Sequence, residues 1–418
     1  MSSERVYSKN LTNGLKVLVK VDQRSPLVTH QVWYHIGSAD ETPGTTGKTH
    51  LLEHLMFKGT KKYPKESISK TVSKLGGNDN AFTSSDYTAY FQNIPKEHLA
   101  TMMEIEADRM ANLKISKKEF EKELQVVREE RRLRVSDNPQ SKLYENFLSA
   151  AFANSGYKIP VIGWDEDLIS LRVEDVQSWY DQWYAPNNAT LVVVGDVIPK
   201  EVFALAQKYY GKVKPKHGIR RQRPIEPPLK HSVHIDMKAE NVSPLVIVGY
   251  HVPGYLASKE ESLALAMLSM AFANGESDWL YRTLVLEEKL ALTVEAHYEL
   301  EDRGTTLFTI NAAPTPGVSL VTLRDRIKTL VSQIPDSLFS SQTRNKIKNQ
   351  LRSAKVFARD SIFYQAMQLG VPESVQIAWD EYASIENAIE AISEETLRVT
   401  AKKWFQIDAT VTATLNPQ

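Results

Sequence analysis

An internal repeat is the feature that most constrains how this chain of 418 residues can fold. The pattern SPLV stands at residues 25–28 and again at 243–246, and a Tyr-His pair follows each copy. An aromatic pair precedes a strand-like stretch at residues 183–197 and again at 404–417. Because these matches keep their order and share an offset of roughly 220 residues, we predict two homologous halves.

The first half alternates between strand-like and helix-like patterns. Strands are favoured by stretches rich in Val, Ile and aromatic residues at 15–20, 27–37 and 86–94. Helical spacing of apolar residues or a helix-like charge pattern predicts helices at 48–57, 67–77, 99–113 and 119–135. The fold class that follows is α+β, with two homologous domains, each a mostly antiparallel sheet with helices packed on one face.

A basic, proline-rich stretch at residues 211–230 lies between the two halves. Consecutive prolines oppose both helix and sheet, so we predict a linker here. The predicted domains are therefore residues 1–210 and 231–418.

Composition excludes several kinds of site and partner. The chain has 51 Lys and Arg against 51 Asp and Glu, so nothing favours nucleic acid as a partner. It has no cysteine, which excludes disulfides, cysteine-zinc sites and thiol nucleophiles. The N-terminus shows no apolar signal segment, and no run of about eighteen apolar residues predicts a membrane span. We expect a cytoplasmic location for the chain as it stands, or a periplasmic one if a signal peptide was removed.

The stretch THLLEHLMFKGT at residues 49–60 carries the strongest indication of chemistry. On a helix, His50, Glu53 and His54 project from one face, and two imidazoles one turn apart can bind one zinc ion. The repeat aligns this stretch with the apolar residues 264–275, so the polar side chains are an addition in one copy of a core helix. We interpret that addition as functional, although a solvated helix face with two histidines is the alternative.

A catalytic zinc site generally has three protein ligands and one open position. Without cysteine, the third ligand must be a carboxylate or another histidine. The order H-x-x-E-H is the inverzincin signature, which is moderately specific by itself.

Three longer stretches carry a resemblance to a known family: GKTHLLEHLMFKGT, LGGNDNAFTSSDYTAYFQNIP and EKELQVVREERR. With them, nearly the whole chain resembles the pitrilysin and mitochondrial-processing-peptidase family of zinc peptidases, in its shorter two-domain bacterial branch. The resemblance implies a domain pair that forms half of a clam-shell chamber. It also implies one zinc ion per chain, bound by His50, His54 and a glutamate that matches Glu130. Glu129 is the main rival for the third ligand.

The same resemblance assigns roles to further residues. Glu53 would act as the general base, passing a proton from water to the leaving amine. Glu123, seven residues before Glu130, is best assigned to orienting a ligand or the water, and the alternative is one charge of a solvated helix. Peptide would add as a strand beside the zinc, at a stretch that corresponds to Asn80, Ala81, Phe82 and Thr83.

The second half departs from the family pattern at two positions. Family members with a complete site carry an Arg and a Tyr there, and the ungapped match places Val285 and Leu292 at these positions. Arg282 and Tyr298 lie nearby but out of register.

This departure bears on partners and on function. We therefore expect a zinc metalloendopeptidase subunit that works as a heterodimer with a homologous partner carrying the Arg and Tyr, with a homodimer as the second choice. A non-catalytic scaffold subunit and a peptide-binding subunit that retains the metal are the alternatives.

Overall fold

The computed structural model describes residues 5–65, 67–221 and 224–418, with the backbone alone at Lys355. The chain divides into two compact units, each formed by three separate segments. The first unit consists of Met1–Arg131, Ile159–Arg223 and Val356–Trp379. The second unit consists of Arg132–Lys158, Pro224–Lys355 and Asp380–Gln418.

The first unit is built on a sheet with the strand order β1-β2-β6-β3-β5-β4. Its strands are β1 Val6–Asn10, β2 Lys16–Val21, β3 Leu27–Tyr34, β4 Asn78–Thr83, β5 Thr88–Pro95 and β6 Ala189–Gly195. Its helices are α1 Lys48–Met56, α2 Ser67–Lys74, α3 Leu99–Asn112, α4 Lys117–Arg131, α6 Asp165–Ser170, α7 Val173–Trp183, α8 Pro199–Tyr209 and α13 Ile362–Ser374.

The second unit has a sheet with the order β7-β11-β8-β10-β9. Its strands are β7 Val233–Ala239, β8 Leu245–Pro253, β9 Ala291–Tyr298, β10 Thr305–Pro314 and β11 Val411–Pro417. Its helices are α5 Pro139–Ala151, α9 Lys259–Ala273, α10 Trp279–Tyr281, α11 Leu320–Ser332, α15 Ile385–Ala391 and α16 Glu394–Trp404. Two further helices, α12 Ser341–Ala358 and α14 Trp379–Ala383, each cross a boundary between the units.

The two sheets repeat one another. In the first sheet β2 pairs with β6 in parallel and the remaining pairs are antiparallel; in the second sheet β7 and β11 take the parallel role. The SPLV copies lead into β3 and β8, which are the central strands of their sheets. The predicted α+β class with two homologous, mostly antiparallel halves is therefore confirmed.

One helix of the second half of the sequence completes the core of the first unit. Helix α13 packs on β3 and β6, where Ala366 and Leu369 join a buried cluster with Trp33. Gly370 permits this close approach, because a Cβ atom there would lie 2.1 Å from the Trp33 ring. Helices α3 and α8 also pack on this sheet, and they belong to the same half of the sequence as its strands.

The second unit shows the reciprocal arrangement. Helix α5, which belongs to the first half of the sequence, packs on β7 and β11. The Phe147 ring of α5 lies against Gly249 of β8, where an added Cβ atom would lie 2.7 Å from the ring. Each sheet is thus covered partly by a helix from the other half.

The compact units therefore differ from the predicted domains 1–210 and 231–418 by two exchanged segments, Arg132–Lys158 and Val356–Trp379. The physical reason is burial, since an apolar sheet face such as that around Trp33 needs a helix to cover it. The predicted linker, residues 211–230, shows no regular element beyond its first two residues where it is described. Among the described residues, no helix is both long and apolar enough to cross a lipid bilayer.

Candidate active site

The helix that carries both histidines begins at a fixed point. Gly47 precedes α1 with a φ of 85°, a conformation that favours glycine. The carboxylate of Glu41 accepts hydrogen bonds from the backbone N–H groups of Gly47 and Thr49, both at 2.6 Å. Burial raises the pKa of Glu41 to about 7, although these hydrogen bonds favour its charged form. Glu41 therefore stabilises the first turn of α1, because it accepts from N–H groups that have no partner within the helix.

His50 and His54 lie one turn apart on α1, with ring centroids 4.9 Å from each other. Helix α4 packs against α1 and presents Glu130 to both rings. The Glu130 Oε2 atom lies 4.0 Å from His50 Nε2 and 3.5 Å from His54 Nε2. His50 is buried, and the other two side chains are partly buried. The ligand atoms of these three residues all lie within 4.8 Å of one another.

This group of donors fits a zinc ion. Zinc prefers imidazole nitrogen and carboxylate oxygen in the absence of cysteine, and tetrahedral ligands at 2.0–2.2 Å from the metal lie about 3.4 Å apart. The two separations to Glu130 are close to that value. Among the residues that the structure describes, His50, His54 and Glu130 form the one such group of three.

Two further glutamates of α4 differ in their surroundings. Glu123 is buried, and its Oε2 atom lies 3.4 Å from His54 Nδ1. Its Oε1 atom lies 2.7 Å from Lys58 Nζ. Glu129 is exposed and lies outside the group that could hold a metal. The face of α4 that meets α1 therefore presents Glu123 and Glu130, which are seven residues apart.

Glu53 connects α1 to an edge strand. The hydroxyl of Thr83 donates a hydrogen bond of 2.5 Å to Glu53 Oε2. Thr83 is the last residue of β4, which pairs with β5 and stands at the end of the sheet. The carboxylate predicted to act as base is thus fixed beside an open strand edge.

The other predicted substrate positions also lie on β4. Phe82 turns toward the sheet and packs edge-on against Trp33, with centroids 5.5 Å apart. The backbone N–H of Ala81 donates to Asn80 Oδ1 at 2.9 Å. We infer that this N–H points to the open edge, because a ladder bond to β5 would turn it the other way.

Among the described residues of the second unit, the equivalent place is occupied by apolar side chains. Helix α9 takes the position of α1 in the repeat, and its residues Ala264, Met267 and Leu268 are buried. Val285 lies in a π-helical segment, and Leu292 is 54% exposed on the edge strand β9. The nearby Tyr298 is buried, and its hydroxyl donates to the Pro253 carbonyl at 2.6 Å.

A buried ion pair lies beneath the end of α1. Arg109 and Glu106 of α3 are fully buried and paired. The Arg109 guanidinium stands 5.2 Å from the centroid of Phe57, which follows the last residue of α1, and 4.7 Å from that of Tyr90. Gln92 donates to Glu106 at 2.6 Å and so extends this network to β5.

Sequence reasoning missed three features of this site. Glu41 belongs to no motif and is a loop carboxylate nine residues before the first histidine. Lys58 stands four residues after His54, a helical spacing that could have indicated it. Thr83 is predicted as a substrate contact, which stays a prediction, and the sequence did not indicate that its hydroxyl also donates to Glu53.

Comparison with known proteins identifies the class to which this fold and site belong. The family described as "Insulinase (Peptidase family M16)" matches residues 16–164, and "Peptidase M16 inactive domain" matches residues 170–351. The zinc protease PqqE of Helicobacter pylori is 31% identical over 357 residues, which cover 82% of this chain and 77% of PqqE. The chain belongs to the M16 peptidase family.

Solved structures agree with this assignment. A protease from Helicobacter pylori matches with a TM-score of 0.92 at 28% identity, over 99% of both chains. The periplasmic protease PqqL from Escherichia coli matches with a TM-score of 0.81 at 19% identity. That match covers all of this chain and 48% of PqqL, so PqqL has the length of about two such chains.

Proposed function

We propose that this chain is a zinc-dependent metalloendopeptidase subunit that hydrolyses peptides or unfolded segments. The observation that carries the proposal is the convergence of His50, His54 and Glu130, with ligand atoms within 4.8 Å. Partial burial of two imidazoles and a carboxylate at one place costs free energy. Apolar side chains would pack there without that cost, so the three polar groups indicate a function. The naming of relatives such as PqqE as zinc proteases supports the same conclusion.

In this proposal one zinc ion per chain is held by His50, His54 and Glu130. When bound, zinc acts as a Lewis acid toward water and toward the carbonyl group of a substrate. Glu53 takes the proton from the attacking water and passes it to the leaving amine. The Thr83 hydroxyl holds the Glu53 carboxylate in place, and Glu123 orients the His54 ring.

The substrate in this proposal is an extended peptide that adds to the open edge of β4. Main-chain hydrogen bonds to residues 80–83 would supply affinity with little dependence on sequence. Such a peptide would run past Glu53, because Thr83 ends β4 and contacts that carboxylate.

The proposed active assembly contains a homologous partner. Val285 and Leu292 stand where the family pattern has Arg and Tyr, and the loss of one donor to a reacting carbonyl costs about 100- to 1000-fold in rate. A partner chain with those two residues would supply them, and a homodimer is the second choice. The double length of PqqL supports the pairing of two such chains.

Glu53→Gln is the first test of catalysis. This change removes the proton acceptor and keeps the shape, so we expect zinc content and folding to be unchanged. The rate of peptide cleavage should fall about 100- to 10,000-fold. A variant that cleaves a quenched peptide at a near wild-type rate would show that Glu53 is not the base.

A peptide-binding subunit is the second candidate, favoured by the hydrophobic residues at positions 285 and 292. The two candidates differ in a cleavage assay on the purified chain, alone and mixed with its homologous companion from the same cell. Zinc-dependent cleavage that a chelator abolishes supports the peptidase. Zinc and peptide binding without cleavage under either condition supports the binding subunit, and the absence of zinc leaves only a scaffold.

The companion also decides the partner proposal. Activity that arises on mixing, and that is lost when the companion's Arg or Tyr is replaced, supports a heterodimer. Full activity of the isolated chain, unchanged by the companion, contradicts it. The location stays a prediction, cytoplasmic for the chain as it stands or periplasmic if a signal peptide was removed, and fractionation of the native cell tests it.

A further inference from the structure

Lys58 continues the face of α1 that carries the histidines. Its backbone N–H donates to the Leu55 carbonyl at 3.0 Å, so the chain still turns helically there. Lys58 stands four residues after His54 and projects from the same side. Contacts between the two helices pair His50 with Glu130 and Lys58 with Glu123, so α1 and α4 run antiparallel.

The two oxygens of Glu123 contact different groups. Oε1 lies 2.7 Å from Lys58 Nζ, and Oε2 lies 3.4 Å from His54 Nδ1. The Glu123 side chain is 10% exposed and that of Lys58 24%, so water screens this ion pair less than one on an open surface. A charge-assisted contact of this length fixes the direction of the carboxylate.

The need for a cation follows from the charges that meet here. Glu123 and Glu130 approach opposite nitrogens of the same His54 ring, at 3.4 and 3.5 Å. Two carboxylates that approach the same ring from opposite sides repel one another. Without Lys58, Glu123 would turn toward water and its contact with the Nδ1 side of His54 would be lost.

We propose that Lys58 is a positioning residue that holds Glu123 against His54 and thereby prepares His54 Nε2 for the metal. The inference rests on the proposed function and extends it to a residue outside the predicted site. Lys58 acts through Glu123, because a carboxylate at Nδ1 sets the tautomer and the ring orientation of a metal-binding histidine.

The test measures Zn²⁺ affinity of the full chain by competition with a chromophoric chelator. Lys58→Met should weaken zinc binding about 10- to 100-fold, the usual effect of removing such a supporting contact. Lys58→Arg keeps the charge and should restore most of the affinity. Because Lys58 works through Glu123, the double variant Lys58→Met/Glu123→Gln should bind zinc about as well as Glu123→Gln alone.

Lys65→Met is the matched control, because Lys65 pairs at 3.0 Å with Glu119, which lies on α4 as Glu123 does. That variant should bind zinc like the wild type. Thermal unfolding of the metal-free variants detects a folding defect, and Lys58→Gln replaces Lys58→Met if the latter does not fold.

The outcomes separate this inference from the proposed function. A zinc affinity of Lys58→Met within about threefold of the wild type would overturn the role of Lys58 and leave the proposed function standing. The same conclusion follows if the losses of affinity of the two single variants multiply in the double variant. Absence of zinc binding in the wild-type chain overturns the proposed function and this inference together.

Discussion

Glu129 and Glu130 are neighbours on α4 but differ in what surrounds them. Glu130 contacts both histidine rings, whereas Glu129 is exposed one position earlier on the helix. A rotation of about 100° per residue separates their directions, so one of them faces α1 and the other faces solvent. Spacing in the sequence favoured Glu130, and the geometry supports the same choice.

Glu130→Gln should therefore lower zinc content strongly, because the amide is a poorer zinc ligand and carries no charge. Glu129→Gln is the matched control and should retain full zinc occupancy, measured by elemental analysis after dialysis. The reverse result, with zinc lost only in Glu129→Gln, would show that the third ligand is Glu129 and that our choice of Glu130 is wrong.

Glu41 gives the chain a pH-dependent contribution to stability. Burial raises its pKa to about 7 in the folded chain, above the value of about 4.3 expected when unfolded. Between these values the folded state binds more protons than the unfolded state. The contribution of Glu41 is thus fully present below about pH 4.3 and is lost as the pH rises to about 7.

Glu41→Gln should remove that dependence. At pH 5 Glu41 is protonated in the folded chain, so the uncharged amide should match it in stability to within about 1 kcal/mol. At pH 8 the balance should move in favour of the variant, because the amide places no charge in this buried position. Urea unfolding at the two pH values measures it, with Glu121→Gln on the exposed side of α4 as the control. An equal difference at both values would show that Glu41 does not titrate in this range.

From the sequence, site residues could be predicted only where they follow a motif or the family spacing, and their roles stay predictions. His50, Glu53 and His54 share one helical face, which periodicity alone indicates. Glu130 came from the family spacing, and its role as a ligand stays a prediction. Glu41 and Lys58 could not be assigned in the same way, because their contacts depend on how a loop and a second helix pack.

At the scale of elements, β4 is an edge strand of the first sheet, where an added chain can pair. It ends the sheet beside Glu53, and the Asn80 side chain occupies the N–H of Ala81. A polar side chain that bonds an edge N–H reduces pairing with unwanted strands. A substrate peptide would have to displace it.

Ala81→Pro tests whether peptide adds to this edge. Proline removes the N–H that faces outward, so we expect KM to rise about fivefold for one lost hydrogen bond of about 1 kcal/mol. Zinc content should not change. Asn80→Ala, which exposes the same N–H, is the control and should leave KM equal or lower. An unchanged KM in Ala81→Pro would contradict strand addition at this position.

Local elements were predicted more closely than their partners in packing. The helix predicted at residues 48–57 is α1, Lys48–Met56, and the strand predicted at 86–94 is β5, Thr88–Pro95. The charged helix predicted at 119–135 is α4, which ends at Arg131 and is followed by a π-helical turn, Arg132–Ser136. Periodicity describes one face of one element, so it did not show which sheet α5 or α13 would cover.

At the scale of the whole molecule, the repeat predicted two similar sheets and this was confirmed. It also suggested a division into two continuous halves, and the structure exchanges α5 and α13 between them. The sequence does not indicate this exchange. The hydrophobic pattern of each helix is compatible with packing on the apolar face of either sheet.

The exchange predicts how fragments behave. A fragment of residues 1–210 lacks α13, so the face of its sheet around Trp33 would be uncovered, and we expect it to aggregate when produced alone. Production together with residues 211–418 should yield a soluble complex, because each fragment then receives its missing helix. Size-exclusion chromatography measures both results. A fragment 1–210 that is soluble, monomeric and cooperatively unfolded would contradict the expectation.

Helices α5 and α13 occupy equivalent places in the repeat, since each follows the long helix of its half and both are 13 residues long. The exchange is thus symmetric. A shorter ancestor that held one half alone could have covered its sheet in this way only by trading that helix with a second copy of itself. Gene duplication and fusion would then have converted a swapped homodimer into one polypeptide. With two separate copies of the sequence, one could lose its histidines while the other retained them.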